Sequence, residues 1–305
     1  MATVVCAVAG GKGGVGRTTS AINLGAALEQ YDYDTTVVDG DLSMSNMQLL
    51  LGLDVDRGVH SILAGEASVA EASVDLPGGL TVMPGERELD AYGDATTSVF
   101  PEIIEAIRGT ADVIIVDTSA RPGSETSAAL EVADVVLLVT TADGPAVRNT
   151  ATIRRLTERL DGEVAGALVT RVRDRSDIEQ AGELLEVPVV GGIPADDDAV
   201  GDEPLMTKAL DSDAAKAYGE CADRFDSLVL QDVPHEDVEL AFEDTWTTAG
   251  ETAETTAEAT DDEPTEADPT AETDDDDDDS QEFTGGALPF GSRQNPAGGR
   301  QLTRR

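Results

Sequence analysis

Apolar runs rich in β-branched residues alternate with segments of helical periodicity along most of residues 1–230. The runs that predict strands are residues 3–9, 35–38, 80–83, 112–116, 135–140, 164–170 and 187–193. The segments that predict helices are residues 18–29, 98–108, 124–132, 146–160, 176–185 and 213–228. Wholly apolar strands separated by helices are typical of a parallel sheet that is covered on both faces. The pattern therefore predicts an α/β fold of three layers, built on a doubly wound, mostly parallel sheet.

The last predicted helix ends at residue 228, and from about Glu243 Thr, Ala, Glu, Asp and Pro dominate the chain. So few apolar residues cannot offset the entropy of an ordered chain. We therefore predict a folded domain over residues 1–232 and a disordered, acidic, low-complexity tail over residues 233–305 with a short basic end. Val238, Phe242 and Trp246 share helical spacing among acidic neighbours, which suits a protein groove better than an anionic membrane.

The chain of 305 residues carries a formal net charge of -42, and its lysines are Lys12, Lys208 and Lys216. An acidic surface with almost no lysine indicates a cytoplasm of molar salt, where repulsion is screened over about 3 Å. We interpret this as a halophilic, archaeal, cytoplasmic protein; an acidic protein built for a basic partner is the alternative. Cys6 and Cys221 lie in apolar contexts and are predicted to be core residues.

A glycine-rich turn joins the first predicted strand to the first predicted helix. It reads Gly11-Lys12-Gly13-Gly14-Val15-Gly16-Arg17-Thr18-Thr19. Strand, glycine turn and helix are the context of a phosphate-binding loop, in which backbone N–H groups and a helix N-terminus converge on an anion. The turn matches the pattern G-x-x-x-x-G-K-[ST], except that Arg17 stands at the lysine position.

Three aspartates follow other predicted strands. Asp39 and Asp41 come after the second strand, and Asp117 ends a strongly apolar one. Ligands of such sheets bind beyond the carboxyl ends of the strands. The glycine-rich turn and these carboxylates are therefore expected at one edge of the sheet. A bare carboxylate ending a buried strand is costly unless it is paired or faces a metal.

Lys12 within Lys-Gly-Gly-x-Gly resembles the deviant Walker A motif of the MinD/ParA family of ATPases. Residues 37–42 resemble the D-x-D switch segment of that family, and residues 113–118 resemble its Walker B strand. Residues 191–194 and 213–218 resemble its C-terminal half. The resemblance covers roughly residues 1–230 and implies a fold of the P-loop NTPase type.

The resemblance also implies ATP and Mg²⁺ as ligands. Lys12 would reach the nucleotide of a second subunit, Asp41 would lie near the attacking water and the metal, and Asp39 would support it. Thr18, Asp41 and Asp117 would hold Mg²⁺. The nucleotide-binding residues would be Gly11, Lys12, Gly13, Gly14, Val15, Gly16, Arg17, Thr18, Thr19, Thr170, Arg171 and Pro194.

Three features depart from the family pattern, and one of them is that residues 118–123 lack the Asp-x-Pro that often follows the Walker B strand. Arg17 places a planar guanidinium where the family has the compact ammonium of lysine. ATP hydrolysis could therefore be slowed, or lost while ATP binding persists. Thr170 precedes Arg171 where the family has an asparagine that reads adenine. Base selectivity is therefore open.

Three functions remain. The first is a MinD-like ATPase that dimerises with ATP and positions a division, motility or chemosensory assembly through a protein adaptor or activating partner, with indirect membrane contact. The second is ParA-like partition, with DNA bound by arginines near residues 154–159 and 171–175; the acidic body opposes it. The third is a nucleotide-gated scaffold without hydrolysis.

Overall fold

A computed structural model describes residues 2–86, 100–196, 201 and 203–234. The predicted tail beyond residue 234, with its candidate docking residues Val238, Phe242 and Trp246, lies outside the described residues. The start of the helix predicted from residue 98 does so as well.

The sheet has eight strands in the order β3-β4-β2-β5-β1-β6-β7-β8. The strands are β1 (Val4–Ala9), β2 (Thr35–Gly40), β3 (Val74–Asp75), β4 (Thr81–Met83), β5 (Val113–Thr118), β6 (Val135–Thr141), β7 (Val164–Val172) and β8 (Val189–Pro194). All pairs are parallel except β3 with β4. The predicted mostly parallel α/β sheet is thus confirmed.

Ten α-helices are described around this sheet. They are α1 (Arg17–Leu28), α2 (Met47–Leu51), α3 (Val59–Leu63), α4 (Val69–Ala72), α5 (Phe100–Ile107), α6 (Ser124–Val132), α7 (Gly144–Arg159), α8 (Arg175–Leu185), α9 (Leu205–Lys208) and α10 (Asp213–Phe225). A π-helix, Asp226–Leu230, continues α10. None of the helices in the described part of the chain is long and apolar enough to cross a membrane.

Alternation along the strands builds a core on each face of the sheet. Cys6 and Val8 of β1 pack in the same cluster as residues of α1 and α10. Ala7 and Ala9 pack in the cluster that contains residues of α7 and α8. Both cysteines are free and buried, as predicted. Because the central strands are parallel, their carboxyl ends lie at one edge of the sheet.

The elements between β2 and β4 are absent from the sequence prediction. Helices α2, α3 and α4 have five, five and four residues, and β3 has two. Hydrophobic periodicity needs a window of roughly 11–18 residues, so elements this short leave no readable pattern.

Gly25 lets α1 lie close to the sheet. A methyl group there would approach Val37 Cγ2 to 2.8 Å and Leu80 Cδ1 to 3.0 Å. Alanine normally stabilises a helix interior by up to about 1 kcal/mol relative to glycine. Here overpacking should dominate, and we expect Gly25→Ala to lower the free energy of unfolding by about 1–3 kcal/mol.

The matched control is Gly219→Ala in α10, where the new methyl group would come no closer than 3.9 Å, to Met206 Cε. This change should raise the free energy of unfolding by up to about 1 kcal/mol. Urea denaturation of both variants measures the difference. Effects of the same sign would contradict this account of Gly25.

Candidate functional site

The glycine-rich turn, residues 10–16, packs against α7 on one side and leads directly into α1 on the other. A Cβ atom at Gly11 would lie 2.1 Å from the backbone carbon of Asn149, so this approach requires glycine. Gly16 caps α1 with a φ of 87°, a conformation that glycine adopts without strain. The backbone of the turn is thereby held against the N-terminus of α1.

The tip of the turn is open, whereas its end is fastened to β7. An added Cβ would meet nothing within 4 Å at Gly13 or Gly14. Val15 is buried, and its carbonyl oxygen accepts a hydrogen bond of 2.7 Å from Thr170 Oγ1. The Thr140 carbonyl oxygen lies 3.3 Å from the same hydroxyl. Thr170 therefore braces the turn, and its hydroxyl is engaged with backbone oxygens.

Arg17 is buried, and its guanidinium binds the backbone of two segments. Nε donates to the Thr118 carbonyl oxygen at 2.8 Å, and one terminal nitrogen donates to the carbonyl oxygens of Lys12 and Gly10 at 2.8 and 3.3 Å. The other terminal nitrogen lies 3.9 Å from Asp41 Oδ2. Arg17 thus connects the turn, the end of β5 and the aspartate after β2.

Asp117, which is buried, and Thr18, which is partly buried, form a hydrogen-bonded pair. Thr18 Oγ1 donates to Asp117 Oδ2 at 2.6 Å. Oδ1 of Asp117 is buried and has no hydrogen-bond partner among the described residues. Burial, reinforced by the charge of Asp39 and opposed by Arg17, raises the pKa of Asp117 to about 8. The ionised form of Asp117 would therefore be stabilised by a positive charge next to this oxygen.

Asp39 and Asp41 occupy the neighbouring strand end, and Asp39 is paired with Asp117 in the β2–β5 register. Asp39 accepts hydrogen bonds from Ser45 Oγ at 2.5 Å and from the Gly85 N–H at 3.3 Å. Burial nonetheless raises its pKa to about 6. Burial also raises the pKa of Asp41, although Arg17 acts in the opposite direction. Asp39 and Asp41 therefore do meet Asp117, from a distant part of the sequence, at one edge of the sheet.

The donor set fits a magnesium ion that is shared with phosphate groups. Within the described residues, no three acidic, histidine or cysteine side chains are grouped closely enough to hold a metal ion by themselves. Mg²⁺ is usually bound by one or two carboxylates together with substrate phosphates and water. The unpartnered Asp117 Oδ1 and the Thr18 hydroxyl supply such a partial set next to the turn.

A cavity of about 460 Å³ opens beside the turn, between α1 and the ends of β7 and β8. Of the residues predicted to bind nucleotide, five line it: Gly16, Thr19, Thr170, Arg171 and Pro194. Its apolar wall includes Leu50, Ile193 and Leu205. A volume of this size is in the range of sites for cofactor-sized ligands.

Lys12 lies at the surface on the other side of the turn. Its Nζ is 3.0 Å from Asp143 Oδ1, and both side chains are roughly half exposed. Asp143 also caps α7 by accepting a hydrogen bond from the Ala146 N–H at 3.1 Å. Exposed ion pairs contribute about 0–1 kcal/mol, so Lys12 can exchange this partner easily.

The sequence of the turn and the strands around it has a match among known protein families. Residues 6–203 match the CbiA family, the CobQ/CobB/MinD/ParA nucleotide binding domain. The chain belongs to this family.

Relatives in this family cover most of the folded domain. An uncharacterized ATP-binding protein of Methanocaldococcus jannaschii is 32% identical over 227 residues, 72% of this chain and 86% of that protein. The septum site-determining protein MinD of Synechocystis is 30% identical over 249 residues, 75% of this chain and 91% of MinD. The septum site-determining protein MinD from Pyrococcus horikoshii, solved in complex with Mg-ADP, has a TM-score of 0.69 at 28% identity, covering 74% and 97% of the two chains. The resemblance to MinD and ParA proteins is confirmed.

A buried histidine–carboxylate pair supports the aspartate segment of this CbiA-family site. Glu86 accepts hydrogen bonds from the N–H groups of Gly58 and Ser61 at 2.7 and 2.8 Å. His60 Nδ1 lies 2.9 Å from Glu86 Oε2, and Nε2 lies 2.8 Å from the Leu42 carbonyl oxygen. Leu42 follows Asp41 directly, so the pair holds the chain next to Asp41. Sequence reasoning missed both residues, because no motif marks their positions.

Burial lowers the pKa of His60, but its hydrogen bonds to Glu86 and to the Leu42 carbonyl oxygen outweigh burial and leave the pKa above the ordinary 6.5. A raised histidine pKa stabilises the fold fully below the ordinary pKa, and this contribution is lost as pH rises through the folded-state value. We expect the free energy of unfolding of wild type to exceed that of His60→Gln by about 1–3 kcal/mol at pH 6. The difference should be smaller at pH 9.

Urea denaturation at constant ionic strength across this pH range measures the difference. When His60→Gln is introduced into Glu86→Gln, which lacks the carboxylate, the pH-dependent part of the difference should be smaller, because only the Leu42 carbonyl oxygen and the charge of Asp39 then raise the pKa of His60. A wild-type advantage over His60→Gln that is the same at every pH would show that His60 acts through shape alone.

Proposed function

We propose that this chain is a MinD-like ATPase that binds Mg-ATP, forms a nucleotide-dependent homodimer and positions a cellular assembly. Its homologues are P-loop ATPases of the MinD/ParA family. The observation that carries the proposal is the Thr18–Asp117 pair, whose second carboxylate oxygen is buried without a partner among the described residues. This pair lies beside an open glycine turn and a cavity large enough for a nucleoside.

Each part of the site has a role in this proposal. The backbone N–H groups of the turn and the N-terminus of α1 bind phosphate groups. Thr18 and Asp117 hold Mg²⁺, which neutralises phosphate charge when bound. Asp41, with its side chain only 13% exposed, orients the attacking water, and Asp39 fixes the backbone of Asp41 through a hydrogen bond of 3.1 Å.

Lys12 acts between subunits in this proposal. In the single chain it is paired with Asp143 at the surface. In the dimer it leaves Asp143 and neutralises phosphate charge on the partner's nucleotide. ATP then shifts the population from monomer to dimer, because only the dimer offers this contact.

Positioning of an assembly is favoured over DNA partition by the net charge of the chain, which is -42 and repels DNA phosphates. Two of the candidate arginines are also ion-paired, Arg154 with Glu158 and Glu186 and Arg173 with Asp177. A DNA phosphate would have to displace these carboxylates. We therefore place the folded domain, residues 1–232, in the cytoplasm, with a protein partner as its route to a pole or membrane and residues 233–305 as a tail.

Asp41→Ala should lower ATP turnover by about 100-fold or more, because the water loses its orienting carboxylate. ATP-dependent dimerisation should persist, since Thr18, Asp117 and the turn are unchanged. Phosphate release and light scattering, both with Mg²⁺ in molar KCl, measure the two properties. Equal turnover in wild type and Asp41→Ala would contradict the assigned role.

A nucleotide-gated scaffold is the second candidate, because the Arg17 guanidinium is already bound to three backbone carbonyl oxygens. Arg17→Lys belongs in the same assay. ATP-dependent dimers without turnover in wild type, together with turnover in Arg17→Lys, would establish the scaffold. Turnover in wild type would exclude it.

Mixing two inactive variants tests whether Lys12 acts in the partner's site. Lys12→Ala and Asp41→Ala should each lack turnover. In a mixed dimer, one site combines an intact Asp41 with the partner's intact Lys12. Equal amounts of the two variants pair at random, so half of the dimers are mixed and each of these has one repaired site of two. About a quarter of the wild-type rate should therefore return. No recovery, with mixed dimers shown to form, would mean that Lys12 acts in its own subunit.

A further inference from the structure

Glu203 lies in the wall of the cavity with one carboxylate oxygen that accepts no hydrogen bond from the described residues. The residue lines the cavity and is only 5% exposed. Its Oε2 is buried and has no hydrogen-bond partner among the described residues. A buried carboxylate oxygen without a partner destabilises a fold unless a ligand supplies the missing hydrogen bond.

Two other polar side chains of the cavity are engaged within the protein. The Thr170 hydroxyl donates to the Val15 carbonyl oxygen at 2.7 Å. The Tyr218 hydroxyl shares a hydrogen bond of 3.1 Å with Ser20 Oγ. Glu203 differs from both, because the described part of the protein leaves one of its oxygens without a donor.

The position of Glu203 is linked to the phosphate-binding turn by Asn23 of α1. Asn23 Oδ1 accepts a hydrogen bond of 2.7 Å from the Leu205 N–H, two residues beyond Glu203. Asn23 Nδ2 donates to the carbonyl oxygen of Thr19 at 2.9 Å, and Thr19 also lines the cavity. Asn23 therefore holds the segment that contains Glu203 at a defined position relative to the first turn of α1.

We propose that Glu203 determines base specificity by accepting a hydrogen bond from an amino group of a purine nucleotide in this cavity. The inference rests on the proposed nucleotide binding and adds to it the residue that reads the base. An ionised carboxylate only accepts hydrogen bonds. It therefore favours a base edge that donates them, such as the amine of adenine or the N1–H and amine of guanine.

The test compares four probes in the presence of Mg²⁺ and molar KCl. ATP and GTP carry amino groups on different edges, purine riboside triphosphate carries none, and inorganic tripolyphosphate has no base. Wild type should bind ATP about 10- to 100-fold more tightly than purine riboside triphosphate, the range of one hydrogen bond to a charged group. A preference for GTP over ATP would still support a role of Glu203 in base specificity. It would indicate that Glu203 accepts hydrogen bonds from the N1–H and amine of guanine.

Substitution of Glu203 should change the ratio between probes. In Glu203→Ala, ATP and purine riboside triphosphate should bind equally, while tripolyphosphate binding stays at the wild-type level. Glu203→Gln should keep a reduced preference for ATP, because the amide oxygen still accepts a hydrogen bond. Asp213→Asn, which removes one exposed charge at the start of α10, should behave as wild type with every probe.

Three outcomes would overturn the inference. Equal binding of ATP, GTP and purine riboside triphosphate by wild type would show that no amino group is read. An equal loss of all four probes in Glu203→Ala would assign Glu203 a purely structural role. If wild type bound neither ATP nor tripolyphosphate, the proposed function itself would fail, whereas tripolyphosphate binding without base discrimination would remove only the role of Glu203.

Discussion

The candidate site depends on the hydrogen bonds that the buried guanidinium of Arg17 donates. Its hydrogen bonds to the Gly10, Lys12 and Thr118 carbonyl oxygens join the glycine-rich turn to the end of β5. Its remaining nitrogen faces Asp41, which brings the end of β2 into the same cluster. Arginine can do this because its planar fork offers five donors in fixed directions, whereas lysine is a flexible point charge. The substitution that interrupts the phosphate-loop pattern is thus also the residue that holds the site together.

The acidic side of the cluster brings buried carboxyl groups together at a cost in stability. Asp39 and Asp117 are paired in register across two central strands, and burial raises the pKa of both carboxyl groups. Hydrogen bonds from Ser45 and Gly85 compensate Asp39, but Asp117 Oδ1 has no partner among the described residues. Buried carboxylates of this kind are concentrated at functional sites. Glu203 also has a buried oxygen without a partner among the described residues. The residue lines the cavity, and Asn23 connects its segment to α1.

The elements that the hydrophobic pattern predicts are the long ones, and these confirm the fold. The helix over residues 124–132 matches α6, Ser124–Val132, at both ends. The predicted start of the first helix, residue 18, lies one residue from Arg17. Between β2 and β4 the pattern fails, since α2, α3 and α4 are too short to show periodicity. The support given by His60 and Glu86 to the Asp41 segment lies in this region, and it was therefore invisible in the sequence.

The sequence by itself determined the α/β class, the glycine-rich turn and the meeting of Asp39, Asp41 and Asp117 at one sheet edge. Those features follow from local patterns, because apolar periodicity, a glycine spacing and strand ends are all readable along the chain. Only the tertiary structure decided the partners of each polar side chain. Arg17 bound to Thr118, Lys12 held by Asp143, and Asn23 bound to Leu205 are contacts between residues more than 100 positions apart. Such contacts depend on how helices and strands pack, and packing distances are not encoded in any single segment.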